Sequence, residues 1–396
     1  MTLSSNPELA MARAASGQRE ALLQSARKNL YPSLSSHYSY THQPDSFYFP
    51  AADEFSYGVT AEQPLYEGKA LITGVNQAKI SLNASVQDSH RIVNDLLFEV
   101  YKQYFELLQA EKLEEEAQQA VVRLKSHLKD SQAFFDAGLI PRNDLLQTEV
   151  ELAQGEQDLV DAQNRTYSTR ARLNMLMQRP ITSPLMVNDC CDDDEKEFIW
   201  EEIEKNTVKN RPEVLQAQLA VEMAEKEIIM KKAPYLPKVT LSATYDKTGT
   251  EPGGSPAPGW PGENKMVKAT ASWKMWTWFK GSDETAAAMQ EVIKAKKDVD
   301  RIVNEVTLEA RIAYLHIEQA KKRIKVSETA IKHAEENYRI NQARYQSQVA
   351  TSTDVLDAQN LLTKAKSNYY NSIYGYRIAM AAVERATGLI AEQHIQ

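Results

Sequence analysis

Glycine and proline are scarce. The 396 residues hold 14 glycines and 15 prolines, where average usage would give roughly 48 of the two together. Turns are therefore few, and the elements between them are long. Cysteine is nearly absent. Only Cys190 and Cys191 occur, side by side, which excludes a disulfide scaffold and a cysteine-based zinc finger. There is no basic excess either. The net charge is −8, so the chain is not suited to neutralising phosphates, and nucleic acid is not an expected partner. With 25% charged residues it is too polar for a polytopic helical membrane protein, and with 42% hydrophobic residues too apolar for a disordered chain.

Signatures of catalysis are missing as well. No H-E-x-x-H, P-loop, G-x-S-x-G or G-x-G-x-x-G motif occurs. The seven histidines are scattered, at His37, His42, His90, His127, His316, His333 and His394. An enzyme is not expected, nor is a cofactor. The run Asp189-Cys190-Cys191-Asp192-Asp193-Asp194-Glu195 looks like a metal cluster. Adjacent cysteines with no partner at ligand spacing make a poor site, however, and an acidic run is usually solvated. No metal is expected. The start, Met1-Thr2-Leu3-Ser4-Ser5-Asn6, lacks the basic and apolar regions of a secretory signal.

What is present is an internal repeat. Asn6-Pro7-Glu8-Leu9 answers Arg211-Pro212-Glu213-Val214. At the same offset Pro32 answers Pro237, Leu34 answers Val239 and Tyr40 answers Tyr245. Leu65-Tyr66-Glu67-Gly68 answers Trp278-Phe279-Lys280-Gly281, and Asp144-Leu145-Leu146 answers Asp354-Val355-Leu356. Two copies make a tandem duplication and not a solenoid. The repeats are expected at 1–197 and 198–396. The second carries a prefix, 198–210, without a counterpart in the first. Residues upstream of Met1 are therefore expected to be missing, with room among them for a signal peptide.

Each repeat reads as helix, β-hairpin, long helix and returning helix. Tyr31-Pro32 ends the first helix, because proline disfavours helix at the residue before it. A period of two follows. Leu34, Tyr38 and Tyr40 alternate with small polar residues and His37, then Phe55, Tyr57, Val59 and Ala61 alternate with Ser56, Gly58, Thr60 and Glu62. These predict a hairpin over 32–66. In the second repeat Val239, Leu241, Ala243 and Tyr245, then Val267, Ala269, Ala271 and Trp273, predict another over 236–277. Long helices are expected at 69–135 and 282–347. Apolar residues recur every seven, at Val86, Val93, Val100, Leu107, Val121, Leu128 and Phe135 in one, with only Glu114 out of step, and at Val303, Ala310, Ile317, Ile324, Ile331, Tyr338 and Tyr345 in the other. That period implies left-handed coiled packing, and each helix would reach roughly 100 Å. Returning helices are expected at 142–178 and 353–387, with Asn143, Ser352 and Thr353 as N-caps and Gly388 as a C-terminal stop. The fold class is α+β, mainly α.

Four strands cannot close a membrane barrel, which starts at about eight. Their free edges would also need covering. Strands of this length, with aromatic residues near their ends, suit an outer-membrane crossing only if several chains pool them. The residues expected to face lipid are Tyr38, Tyr40, Phe55, Tyr57, Val59, Val239, Leu241, Tyr245, Val267 and Trp273.

At this point the chain resembles a family. The element order, repeated twice, is similar to that of the TolC family of outer-membrane efflux channels. The repeat starts at Asn6 and Arg211 carry the resemblance, with Gln63-Pro64-Leu65-Tyr66-Glu67-Gly68 before a long helix. Ala137-Gly138-Leu139 at one tip and Thr353-Asp354-Val355-Leu356-Asp357-Ala358 after the other support it. The resemblance implies a trimer whose twelve strands form one barrel above a long α-helical barrel. It implies an outer-membrane location with a large periplasmic portion, in contact with outer-membrane lipid. It also implies a passive exit duct of a tripartite efflux or type I secretion system. A periplasmic adaptor (membrane fusion) protein would link the duct to an inner-membrane pump of the RND, ABC or MFS type.

The same resemblance implies roles for single residues. Asp354 and Asp357, one turn apart on a shared face, would form acidic rings narrowing the periplasmic entrance; the simpler reading is that they complement the helix dipole. Asp144 and Tyr345 would be a hydrogen-bonding pair that holds the closed state; the simpler reading is a first-turn acid and a seam aromatic. Gly138, Leu139 and Val349 would lie at the adaptor-facing tips, where Gly138 could equally be a plain helix stop. Two departures stand out: Gln348 where the first tip has glycine, and Ala350 where the best-known member has an arginine. A competing function is a coiled-coil structural scaffold with a small β-cap, which explains the heptads but neither the paired hairpins nor the duplication.

Overall fold

The computed structural model describes residues 6–44, 52–189, 197–252 and 262–388. Cys190, Cys191 and the acidic residues 192–195 lie outside the described residues. In order, the elements are α1 (Pro7–Lys28), β1 (Ser33–Gln43), β2 (Ala52–Glu67), α2 (Ala70–Asp136), α3 (Arg142–Leu176), α4 (Trp200–Asn210), α5 (Pro212–Lys232), a 3-10 turn (Ala233–Tyr235), β3 (Lys238–Gly249), β4 (Glu263–Ser272), α6 (Lys280–Gln346) and α7 (Ser352–Thr387). Helices α2 and α6 each run 67 residues, roughly 100 Å at 1.5 Å per residue. The segment 198–210, without a counterpart in the sequence repeat, supplies α4.

Each long helix starts from a left-handed elbow. Gly68 and Lys69 have φ 58° and 72°, and Trp278 and Phe279 have φ 53° and 64°. The sequence match that set Gly68 against Gly281 is therefore out of step with the backbone, because Gly68-Lys69 stands where Trp278-Phe279 stands. The alignment followed the glycine, whereas the fold repeats the elbow. Both elbows lie against the 3-10 turn. A Cβ on Gly68 would come within 2.4 Å of the Ala233 carbonyl, and one on Gly281 within 2.7 Å of the Tyr235 ring. Trp273 Nε1 donates to the Tyr235 carbonyl at 3.0 Å, and the Tyr235 hydroxyl donates to Glu284 at 2.9 Å.

The four strands form one antiparallel sheet in the order β1-β2-β3-β4. Residues paired across an antiparallel ladder share a face, so the register sorts the sheet into two surfaces. Tyr38 pairs with Tyr57 and Tyr40 with Phe55. Val59 pairs with Tyr245 and Gln63 with Leu241; past a bulge at Pro64, Tyr66 pairs with Val239. Ala243 pairs with Val267. One face is thus mainly apolar and aromatic, with His42, Asp53, Lys247 and Lys265 on it toward the hairpin loops. On the other, His37, Gly58, Asp246 and Asn264 make one row, and Ser35, Thr60, Thr244 and Met266 the next. Strands β1 and β4 are the edges, and both are exposed along their whole length.

Packing divides the chain into two compact units. One comprises Met1–Met11, Ser89–Val214 and Ile302–Gln396, the other Ala12–Asp88 and Leu215–Arg301. The sheet belongs to the second. In the first, Ile203 of α4 packs with Ala310, Ala313 and Ile317 of α6 and with Ala379, Val383 and Ala386 of α7. The seven-residue lines are visible in this burial. On α6 Ala310 and Ile317 are fully buried, and a second line three residues on buries Val306, Ala313, Ala320 and Ser327, the two seams a coiled helix presents. On α2 the second line is Leu96, Gln103, Ala110, Leu124 and Ser131.

A chain of alternating charges ties the same unit together. Arg211 is buried. It clasps Glu213 with two bonds of 2.9 and 3.0 Å and donates to Glu309 at 2.7 Å. Glu309 also receives Arg385, which binds Asp95 at 2.7 Å, and Asp95 meets Arg91 at 3.2 Å. Helix α7 then stops at Gly388, whose φ of 75° makes it the left-handed C-cap. The two returning helices start differently from each other. Thr351 caps α7, so Ser352 and Thr353 lie inside the helix rather than capping it. Helix α3 follows Pro141, whose extended backbone sets the turn without a side-chain cap, so Asn143 is not a cap either.

Candidate functional site: the helical tips

Helices α2 and α3 meet at one tip, α6 and α7 at the other. Both long helices end in the same Schellman motif. At the first, Gly138 N–H reaches the Phe135 carbonyl and Leu139 N–H the Phe134 carbonyl, each at 2.8 Å. At the second, Gln348 N–H reaches Tyr345 and Val349 N–H reaches Arg344, each at 2.9 Å. Gly138 has φ 73° and Gln348 φ 62°, so glutamine carries a conformation that suits glycine. Nothing lies within 4 Å of a Cβ built on Gly138, which leaves backbone preference as the main term. Gln348→Gly should therefore stabilise the second tip by about 1 kcal/mol, and Gly138→Ala should weaken the first by a similar amount. Thermal melting of the two variants checks the opposite signs. Leu139 and Val349, next to these residues, are exposed at 53% and 64%, and each tip therefore ends in an apolar side chain.

Asp354 and Asp357 are both exposed on the first turns of α7. Asp354 completes a capping box. Its carboxylate accepts from the Thr351 N–H and hydroxyl, both at 2.8 Å, while Thr351 Oγ1 accepts from the Asp354 N–H at 3.2 Å. The Thr351 backbone and hydroxyl bonds hold this carboxyl below the usual aspartate range, with the positive charge of Arg344 adding to the effect. Arg344 also donates to the Val349 carbonyl at 3.3 Å. The acid expected from its place in a motif thus has a structural duty in its own chain.

Tyr345 is not joined to Asp144 by a hydrogen bond among the described residues. Its hydroxyl meets Ser131 Oγ of α2 at 2.9 Å. Its ring packs on His127 at 4.8 Å and on Phe134 at 5.3 Å between centroids. Burial raises the tyrosine's pKa, and the Asp144 charge adds to this from nearby. The Asp144 carbonyl instead accepts from the Thr148 hydroxyl at 3.0 Å.

These contacts belong to a buried network that sequence reasoning missed. His127 Nε2 lies 2.8 Å from Ser352 Oγ, and Ser352 Oγ lies 3.0 Å from Thr148 Oγ1. With Ser131 and Tyr345, one polar cluster joins α2, α3, α6 and α7. Ser131 and Thr148 have no exposed surface, and Ser352, Tyr345 and His127 have at most 5%. Burial keeps the His127 pKa below the usual imidazole range, against a smaller raising effect from Asp130. Such groups are costly to bury unpaired and specify one arrangement when paired. The available signal was polar residues on a seven-residue seam: Ser131 continues the line Leu96, Gln103, Ala110, Leu124.

The apolar sheet face carries Tyr38, Tyr40, Phe55, Tyr57, Val59, Val239, Leu241, Tyr245 and Val267, in the register described above. Trp273 follows the last residue of β4. Among the described residues no group of three or more His, Cys, Asp or Glu side chains could hold a metal, and no helix is long and apolar enough to cross a membrane.

The fold combines two tip hairpins on 67-residue helices with a four-stranded, two-faced sheet. The outer membrane efflux protein model matches residues 1–177 and 205–389, and the chain belongs to that family. It is 21% identical to the outer membrane protein TolC of Vibrio cholerae over 353 residues, covering 87% of this chain and 79% of the relative. Its fold superposes on the outer-membrane channel OprN with a TM-score of 0.88 at 16% identity, covering 98% of this chain and 88% of that one. The open-state MtrE outer membrane channel of Neisseria gonorrhoeae gives 0.83 at 20% identity, covering 98% and 87%. The chain is therefore an outer-membrane efflux channel protein with a large periplasmic portion.

Proposed function

We propose that three copies of the chain assemble into one passive exit duct, their strands closing a twelve-stranded barrel and their long helices lining a periplasmic tunnel. The observation that carries this reading is the open sheet: four strands with one apolar face, one polar face and two exposed edges. An uncovered edge is a pairing template, and closure into a barrel is the way a membrane sheet removes it. The apolar face supplies the lipid contact and the polar face the lumen. Exposed apolar residues outside the sheet support assembly through the helices as well: Val150, Val160 and Tyr167 on α3, and Leu308, Leu315 and Val326 on α6. The two sequence halves, 1–197 and 198–396, are on this reading tandem repeats, each giving the barrel one hairpin.

Energy comes from an inner-membrane pump, RND, ABC or MFS in type, reached through a periplasmic adaptor that docks on Gly138, Leu139 and Val349. Asp354 and Asp357 narrow the entrance as acidic rings, and Asp144 and Tyr345 form part of the gate. In an assembled ring, like carboxylates facing one another raise each other's apparent pKa and attract cations, opposing the lowering that Thr351 gives Asp354 within its own chain. In planar bilayers the purified protein should give discrete conductance steps. Multivalent cations should block these, and Asp354→Ala with Asp357→Ala should weaken the block by roughly tenfold or more in half-blocking concentration. Unchanged block would remove the ring from the proposal, and absence of any conductance would remove the duct.

A further inference from the structure

Helices α1, α2, α5 and α6 line a cleft of about 1010 Å³ that lies wholly within the second unit. The sequence makes room for it. Ala220 and Ala224 on α5 are four residues apart, and Ala288 and Ala295 on α6 are seven apart, so each pair shares one helix face. Ala78 of α2 joins them. Larger side chains at these places would close the gap between neighbouring helices; five methyl groups leave it open. Small organic ligands occupy clefts of this size, apolar in the main with a few placed polar groups.

Charge is distributed unevenly around this floor. The acids of the lining are already engaged. Glu291 accepts from Lys294 at 2.9 Å, Asp298 from Arg301 at 2.9 and 2.7 Å, and Glu227 from Gln77 at 3.0 Å. Lys297 reaches out of the lining to Asp300, at 3.0 Å. Arg19 of α1 lines the same cleft. Among the described residues it makes no hydrogen bond or ion pair. The lining therefore holds four basic groups against three acidic ones, although the whole chain has a net charge of −8. Its uncommitted charge is positive.

We propose that this cleft binds an organic anion of drug size, with the apolar body on the alanine floor and a carboxylate or sulfonate on the Arg19 guanidinium. The guanidinium offers a planar fork of donors that two acid oxygens match. An organic cation is disfavoured, because each acid in the lining already has a partner. A small inorganic anion is disfavoured too, because it leaves the apolar floor in water. A passive duct needs no binding site in its wall, so this property goes beyond the duct reading and does not depend on it.

The test uses the full-length protein in mild detergent, with Cys190→Ser and Cys191→Ser removing the native thiols. Ser81→Cys then places one thiol in the lining, and in a second protein Gln290→Cys places one on exposed α6 surface outside it. Each is modified with a neutral methanethiosulfonate, with and without naphthalene-2-sulfonate as the probe. The probe should slow modification of Ser81→Cys in a saturable way and leave Gln290→Cys unchanged. Adding Arg19→Gln should raise the half-protecting concentration about tenfold, and Arg19→Lys should raise it less. Unchanged modification of Ser81→Cys at every probe concentration would overturn the site. So would a Ser81→Cys thiol that fails to react without the probe, because another chain then fills the cleft. Protection undiminished by Arg19→Gln would overturn the anion assignment. None of these readouts uses conductance, so they succeed or fail separately from the bilayer experiment.

Discussion

Arg211→Met should lower the stability of the folded chain by about 2–3 kcal/mol, the largest single effect expected from a surface-distant charge in this protein. Arg211 is the buried link of the charge chain, with three hydrogen bonds to Glu213 and Glu309. Methionine keeps much of the side-chain volume and removes the charge, leaving two carboxylates facing each other across an apolar stem. Breaking a fully buried pair costs about 3–5 kcal/mol. The lower figure applies because Glu309 keeps 40% of its side-chain surface, and water screens what remains. Arg211→Lys should recover only part of the loss, because an ammonium cannot clasp Glu213 with two parallel bonds. Urea midpoints for the three proteins should fall in the order wild type, lysine, methionine; a methionine variant as stable as wild type would show that the charge chain contributes nothing.

The second large effect is expected at the tips. His127→Ala removes a buried ring that touches Tyr345 and Ser352, opening a cavity and leaving a buried hydroxyl short of a partner. About 2 kcal/mol should be lost, which corresponds to roughly thirtyfold faster local opening. Hydrogen exchange at the start of α7 and the end of α2 reads this directly. Acid should act on the same group. His127 is held neutral by burial, so the opened state takes up a proton more readily than the closed one. Closed-tip stability is therefore fully present above the ordinary histidine pKa of about 6.5 and is lost progressively as pH falls below it. Asp130 on the same helix opposes this shift, and Asp144 on α3 lies near the adjoining tyrosine. His127→Gln can still bond Ser352 and does not titrate. Tip protection in that variant, corrected for the intrinsic pH dependence of amide exchange, should lose its acid dependence between about pH 8 and pH 5.5, while a wild-type tip whose corrected protection is constant across this range would contradict the assignment.

The sequence made the long elements legible because their signals are repetitive. A seven-residue seam sustained from Val86 to Phe135 cannot be mistaken for a strand. The two-residue alternation from Val239 to Tyr245 identified one strand face, and the ladder register places the same residues together. Single positions were less legible. Ser352 was a reasonable cap by residue type, yet Thr351 took the cap and left Ser352 to be buried against His127, a partner far away in sequence. Gln348 looked like a departure from Gly138, but the Schellman hydrogen bonds impose the same left-handed turn on both. The elbow at Trp278 and Phe279 was hidden by a glycine nearby that matched better as a letter than as a conformation. In each case tertiary contacts decided among locally acceptable choices, and local propensity does not carry them.

The pooling of strands between copies is tested most directly by the mass of the purified full-length protein in mild detergent, measured by light scattering with the bound detergent subtracted. A closed barrel built from exposed β1 and β4 edges predicts a particle of three chains that loses solubility when the detergent is removed. A single chain that stays monodisperse in plain buffer would contradict it.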